Sequence, residues 1–363
     1  MFELGRELMK LFAGDRLRPH ADGLTGGDAA LLELLDLPML MTEARSADVA
    51  AGRIGAHDKA QRRLDAAVIW REAARRSGDA VALRKAAATA ELACASFEPS
   101  RRPDGWARSR CEQGFCGLLG AELFGDPGLN AAAMTAFREA RATARGGLSA
   151  ALADVGIAAV LGRQALAQAE ADTAWAAARE FNAPIAALDT LTRRLTAARA
   201  LAAEARLVRA DLLCAFGARL KDEAMLQAAF DDAATAASRL DLAYEPLTWA
   251  RAEILRGQAL SLMGEVRGDV EAIASGATAL AGALDHLIRD HSPLDWARAQ
   301  LSLARALTAL GEAAADERAY EQAVTCYDRA NLVLKDVPAS PLRGVAAGER
   351  AVALARSAEL TGN

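Results

Sequence analysis

The sequence predicts an all-α protein, built as an α-solenoid of antiparallel helix pairs, on three observations. Pro246, Leu247, Trp249, Ala250 and Arg251 recur 47 residues later as Pro293, Leu294, Trp296, Ala297 and Arg298. The same interval joins Gly217, Gly264 and Gly311, and also Leu240, Leu287 and Leu334. Ala and Leu dominate, only 10 prolines interrupt the chain and β-branched runs are scarce, so helix propensity is high in almost every window. A fixed period of this size marks stacked repeats, each too small to bury its apolar face alone.

The elements follow in order. Residues 1–55 stand outside the repeat as an N-terminal cap or docking segment. Phe2, Leu4, Leu8, Met9, Leu11 and Phe12 give a short first helix one apolar side, opposite Glu3, Arg6, Glu7 and Lys10. Glycine and proline then break the chain over 14–27, Asp28 caps a second helix over 29–37, and Pro38 ends or kinks it. Six helix pairs fill 56–338. The first is 57–77, stopped by Gly78, with a partner capped by Asp79 and running to Phe97. Pro103, Trp106, Ala107 and Arg108 restate the repeat signature 143 residues before Pro246, close to three periods, so two units and a short insertion lie between. The second pair is 103–124 with 127–145, the third 148–168 with 172–190, and the fourth 193–216, closed by Gly217, with 223–240. The fifth is 246–263 with 270–288, and the sixth 293–310 with 317–334. A last helix over 341–359, in a terminal segment 339–363, lacks a partner and caps the array.

The repeat has a local logic. Proline in the first turn loses nothing, because that N–H has no intrahelical acceptor. Glycine at the far end takes the left-handed conformation that lets the chain reverse. Between them, small Gly257 and Ala304 bring two helices close while Leu260 and Leu307 fill the flanks.

The sixth unit carries a family resemblance. Ala304, Leu307 and Gly311, then Tyr320, Ala323, Tyr327 and Ala330, resemble the small, large, glycine and aromatic positions of a tetratricopeptide repeat; Gly257, Leu260, Gly264, Ile273, Gly276, Leu280 and Ala283 repeat them one unit earlier. The family unit has about 34 residues, whereas this one has 47, with longer helices and turns. The resemblance implies a right-handed superhelix whose first helices line a concave groove that binds protein or peptide. It implies no catalytic residue and no cofactor.

Counting from each tryptophan position, the residues two and nine further on share that concave stripe. They are Arg108 and Phe115, Glu204 and Asp211, Arg251 and Gln258, and Arg298 and Arg305. Arginine offers a planar fork that matches a carboxylate. Arg251, Arg298 and Arg305, with Gln258, are therefore expected to hold an acidic or C-terminal segment of a partner protein. The competing expectation is a solvated helix face, or internal pairing with Glu253 and Asp295. Trp106, Trp249 and Trp296 recur in register, which predicts packing on the preceding pair rather than a ligand site.

Other chemistry is poorly supported. The 43 basic and 48 acidic residues are interspersed, giving net −5 and no basic face for nucleic acid. Arg and Ala in place of Lys and Asn point to a GC-rich bacterial gene. Cys94, Cys111, Cys116, Cys214 and Cys326 lack metal spacing and read as reduced, mostly buried hydrophobes of a cytoplasmic protein. His286 and His291 are five apart, not the four that sets two metal ligands on one helix face, and Asp231 and Asp232 lack the further acid at 235 that a diphosphate site would need. No secretory signal is recognisable and no stretch looks long and apolar enough to span a bilayer. Helix 1–13 has as many acids as bases, which disfavours a membrane surface. Two other classes compete with the scaffold: self-assembly through residues 1–55, and an all-helical enzyme, which would require a deep polar pocket where titratable groups converge.

Overall fold

The computed structural model describes residues 32–362 apart from 54–57, 169, 194, 338 and 339. The expected helix over 1–13, the loop after it and the start of the helix over 29–37 lie outside the described residues. All regular structure among the described residues is helical. The helices are α1 (Leu37–Gly52), α2 (Lys59–Ser77), α3 (Ala80–Ser96), α4 (Pro103–Phe124), α5 (Gly128–Thr143), α6 (Gly147–Gln168), α7 (Ala171–Arg179) and α8 (Asn182–Leu191). Next come α9 (Thr196–Leu220), α10 (Glu223–Arg239), α11 (Pro246–Arg267), α12 (Val270–Leu284), α13 (Pro293–Ala314), α14 (Glu317–Leu334) and α15 (Pro341–Thr361). Successive helices pack as pairs and each pair packs on the next, a helical-repeat architecture of the general solenoid kind.

Several expectations need correction. Pro38 starts a helix rather than ending one: Asp36 caps α1 by accepting the Met39 N–H at 2.8 Å, and a first-turn proline needs no acceptor. The outer helix of the third pair is split into α7 and α8. Pro184 has no N–H and would clash with the carbonyl four residues back, so the chain breaks just before it, at Glu180 and the fully buried Phe181. Helix α6 is long and apolar enough to cross a membrane, contrary to the reading above, yet it forms part of the protein's own core, with half of its most apolar stretch buried. Lastly, Gly217, Gly264 and Gly311 do not end their helices.

Those three glycines lie inside α9, α11 and α13, and their recurrence has a packing cause. A Cβ on them would stand 2.6 Å from Leu226, 2.7 Å from Ile273 and 2.8 Å from Tyr320, one large side chain of the paired helix in each unit. The chain reverses four residues later, where Lys221, Gly268 and Ala315 take positive φ and Asp222, Asp269 and Asp316 cap the next helix. Gly78 and Gly125 hold the same place in the first two units. A side chain in the left-handed region costs about 1–2 kcal/mol. Ala315→Gly is therefore expected to stabilise the fold by about 1 kcal/mol, read as a higher midpoint in urea.

The array turns back on itself. The first helices of the six pairs, α2, α4, α6, α9, α11 and α13, touch in sequence, and α13 also touches α2. One continuous core joins Trp70, Leu83 and Leu123 of the first two units to Leu294, Leu301 and Tyr327 of the sixth. Val337 seats against the turn at Gly78, and Pro341 against that at Gly125. The last helix has a partner after all: α15 packs on α14.

Trp106 packs on Leu64, Ala93 and Phe97 of the preceding pair, and Trp249 on Ala203, Leu207 and Ala236. Four cysteines are buried and Cys94 is half-buried; burial pushes the Cys111 thiol up to about 12, far from thiolate chemistry.

Candidate binding hollow

The six first helices surround a hollow of about 280 Å³, closed on one side by Leu32 and Glu33. One wall is apolar, from Phe115, Leu118, Leu152, Val155, Leu201 and Val208. The other is built of guanidinium and carboxylate groups, because the carboxyl-terminal ends of α2 and α4 meet the amino-terminal ends of α11 and α13 there. Arg75 donates to both oxygens of Asp295 at 2.8 and 2.7 Å and to Glu72 at 2.8 and 2.9 Å. Arg251 binds Glu204 at 2.7 and 3.3 Å. Glu122 accepts from Arg298 and, at 3.0 Å, from Arg163. Arg71 binds Glu112 and lies 5.5 Å from the centre of the Phe115 ring.

Burial raises the pKa of Glu72, Glu122, Glu204 and Asp295, but the facing arginines outweigh it. Arg75 and Arg76 hold Glu72 well below the usual range, Arg298 and Arg163 lower Glu122, Arg251 lowers Glu204, and Arg75 lowers Asp295. Two groups go the other way. Asp211 is raised by burial and by Glu122, and Glu33 is pushed up to about 7 by burial.

The structure brings Phe115, Arg251 and Arg298 together on the hollow. It does not bring Arg108, Gln258 or Arg305 there. Arg108 lies two turns before Phe115 on α4; burial lowers its pKa to about 10, and its Nε finds no acceptor among the described residues. Gln258 accepts from Ser302 at 3.3 Å, between α11 and α13. Arg305 faces α15, held by Glu349 at 2.9 and 3.1 Å. Neither Glu253 nor Asp295 pairs with the arginine expected: Glu253 binds Arg256, and Asp295 binds Arg75.

Sequence reasoning missed Arg71, Glu72, Arg75, Arg163 and Glu33. The available signal was the charged run Arg71, Glu72, Arg75 and Arg76 at the end of an alanine-rich helix, in a unit that lacks the proline and tryptophan used for register. Register does explain one pair: Glu204, Arg251 and Arg298 are successive 47-residue equivalents, and the first two bind one another.

A more open groove of about 560 Å³ lies on the outside, where the split between α7 and α8 leaves Trp175 half-covered; its Arg209 and Asp232 are bonded to each other. Among the described residues no three metal-binding side chains cluster. The chain matches no protein-family model and no curated protein. The functional reading therefore rests on the hollow's own chemistry.

Proposed function

We propose that this chain is a non-enzymatic, cytoplasmic scaffold, tetratricopeptide-like in its antiparallel pairing and right-handed turn, which holds the acidic C-terminal end of a partner protein in the hollow. The observation that supports this reading is the junction of an apolar wall with Arg251 and Arg298 at one opening. Both arginines keep partial access to solvent, with side chains 23% and 32% exposed, and so do their carboxylate partners. An incoming carboxylate would share Arg251 with Glu204 or Arg298 with Glu122, gaining a charge-assisted bond from the guanidinium. A hollow this small takes about one or two residues, which favours a chain end over a segment running through.

The enzyme reading has one observation in its favour, the convergence of titratable groups. Each carboxylate except Asp211 and Glu33 is held ionised by arginine, and Glu33 spends its oxygens on backbone and hydroxyl partners. Glu33, its pKa pushed up to about 7, is the group on which that reading would rest.

Affinity capture from a bacterial lysate with the intact chain and with Arg251→Glu/Arg298→Glu tests the proposal. Charged hydrogen bonds of about 1.5–3 kcal/mol each predict that every partner held through the hollow falls more than tenfold on the variant. Equal recovery on both would overturn it.

A further inference from the structure

We infer that Glu33 is the proton-carrying bolt of a strap, residues 32–36, that locks the first unit to the fifth and sixth across the hollow, and that ionising Glu33 releases it. The inference concerns the strap and stands without any ligand.

The strap is tied from three sides. Arg76 of α2, fully buried, donates to the carbonyls of Leu35 at 2.7 Å and Leu32 at 2.8 Å. His291, before α13, donates from Nε2 to the Glu33 carbonyl at 2.6 Å. The Glu33 carboxyl meets the start of α11: Oε2 accepts the N–H groups of Leu247 at 2.8 Å and Thr248 at 2.9 Å, and Oε1 contacts the Thr248 hydroxyl. That hydroxyl is also 3.1 Å from Oε1 of Glu204.

Counting protons assigns the state of Glu33. Thr248 has one hydroxyl hydrogen and faces two carboxyl oxygens, so it can donate to only one of them. The other contact needs a proton on a carboxyl. Glu204 is ion-paired to Arg251 and ionised, whereas among the described residues no cation pairs with Glu33. Glu33 therefore carries the proton and donates through Oε1 to Thr248, which donates in turn to Glu204.

The charged surroundings oppose ionisation. From α2 the carboxyl is faced by Glu72, with Arg75 and Arg76 engaged by Glu72, Asp295 and the strap carbonyls; from α9 by Glu204; from α11 by Arg251, engaged by Glu204; and from the α13 side by His291 and Asp295. A bare carboxylate there would be buried beside two others without a cation, which is strongly unfavourable.

The sign follows. The Glu33 pKa is raised from 4.5 to about 7, so its stabilising effect is complete below 4.5 and is lost as pH rises through about 7. Burial and Arg76 lower His291 from 6.5, so its share is present above 6.5 and is lost as pH falls. Among the strap's own ties, weakening as pH rises is thus the mark of Glu33.

Hydrogen exchange of the intact chain, compared with Glu33→Gln, tests this directly. Glutamine keeps every bond: its amide N–H donates to Thr248, its oxygen accepts the two backbone N–H groups, and it does not titrate. The Leu247 and Thr248 amides, in the first turn of α11, have no intrahelical acceptor, so their protection reports the Glu33 bond. Between pH 4.5 and about 7 strap closure should weaken by up to about tenfold per unit, levelling off above that. At pH 4.5 both chains should exchange alike at these amides and over 32–36; at pH 8.5 the wild type should exchange at least about tenfold faster than the variant. Parallel exchange at both pH values would overturn the inference. Glu33→Ala should expose the same amides at either pH with helix content unchanged; if that variant does not fold, the glutamine comparison still decides.

Discussion

Replacing Phe137 by alanine is expected to cost about 3–5 kcal/mol and to lower the thermal midpoint accordingly. Phe137 comes from α5, is fully buried and stacks edge-on to Phe115 with ring centres 5.0 Å apart. Its ring lies in a slot between two glycines: a Cβ on Gly114 of α4 would come within 2.6 Å of it, and one on Gly156 of α6 within 2.3 Å. Backbone on both sides fixes the slot, so it cannot collapse onto a missing ring, and the cavity term of the loss should be near its upper range. Because Phe115 lines the hollow, the same change should also loosen its apolar wall. Urea denaturation monitored by far-UV circular dichroism measures the loss; a cost under about 1 kcal/mol would mean that the two inner helices repack freely.

The glycines of this slot show how much the sequence made legible. The 47-residue interval is written by local necessities, namely the caps Asp222, Asp269 and Asp316 after the last three reversals, Pro246 and Pro293 at the starts of the last two units, and a glycine under Leu226, Ile273 and Tyr320. Those recur because every unit solves the same neighbour contact, so the helix pairs could be placed. Gly217, Gly264 and Gly311 were assigned to reversal because glycine serves both left-handed turns and close helix approach, and only coordinates tell the two apart. Lys221 and Ala315 hid the true reversals by standing where glycine is usual.

Closure was illegible for a different reason. A period specifies how one unit meets the next, not the rotation accumulated over six, so nothing in the repeat says that α2 meets α13. The hollow residues followed suit. Arg251 and Arg298 were found through register, whereas Arg75 sits in a unit without the signature and Glu33 lies outside the array. Gln258 and Arg305 were misplaced because seven-residue spacing marks one stripe only on a straight helix facing one hollow, and here that stripe meets the next unit and α15.

The second large effect is expected at Asp295, which is 3% exposed and accepts two bonds from Arg75 and one from Ser292 at 2.6 Å. Removing one partner of a buried pair typically costs about 3–5 kcal/mol. Asp295→Ala should fall near 3 kcal/mol, because Arg75 keeps Glu72. The loss should also appear as faster exchange at the strap, since Arg75 and Arg76 share Glu72 as acceptor. Asp295→Asn, which can still accept from Ser292, should cost less.

A double-mutant cycle on Arg75→Ala and Asp295→Ala, read by urea denaturation, tests closure most directly. The two residues are 220 positions apart in sequence, and in an open array their effects would simply add. A closed array predicts a coupling of at least about 1 kcal/mol. Additivity within about 0.5 kcal/mol would contradict it and reopen the hollow.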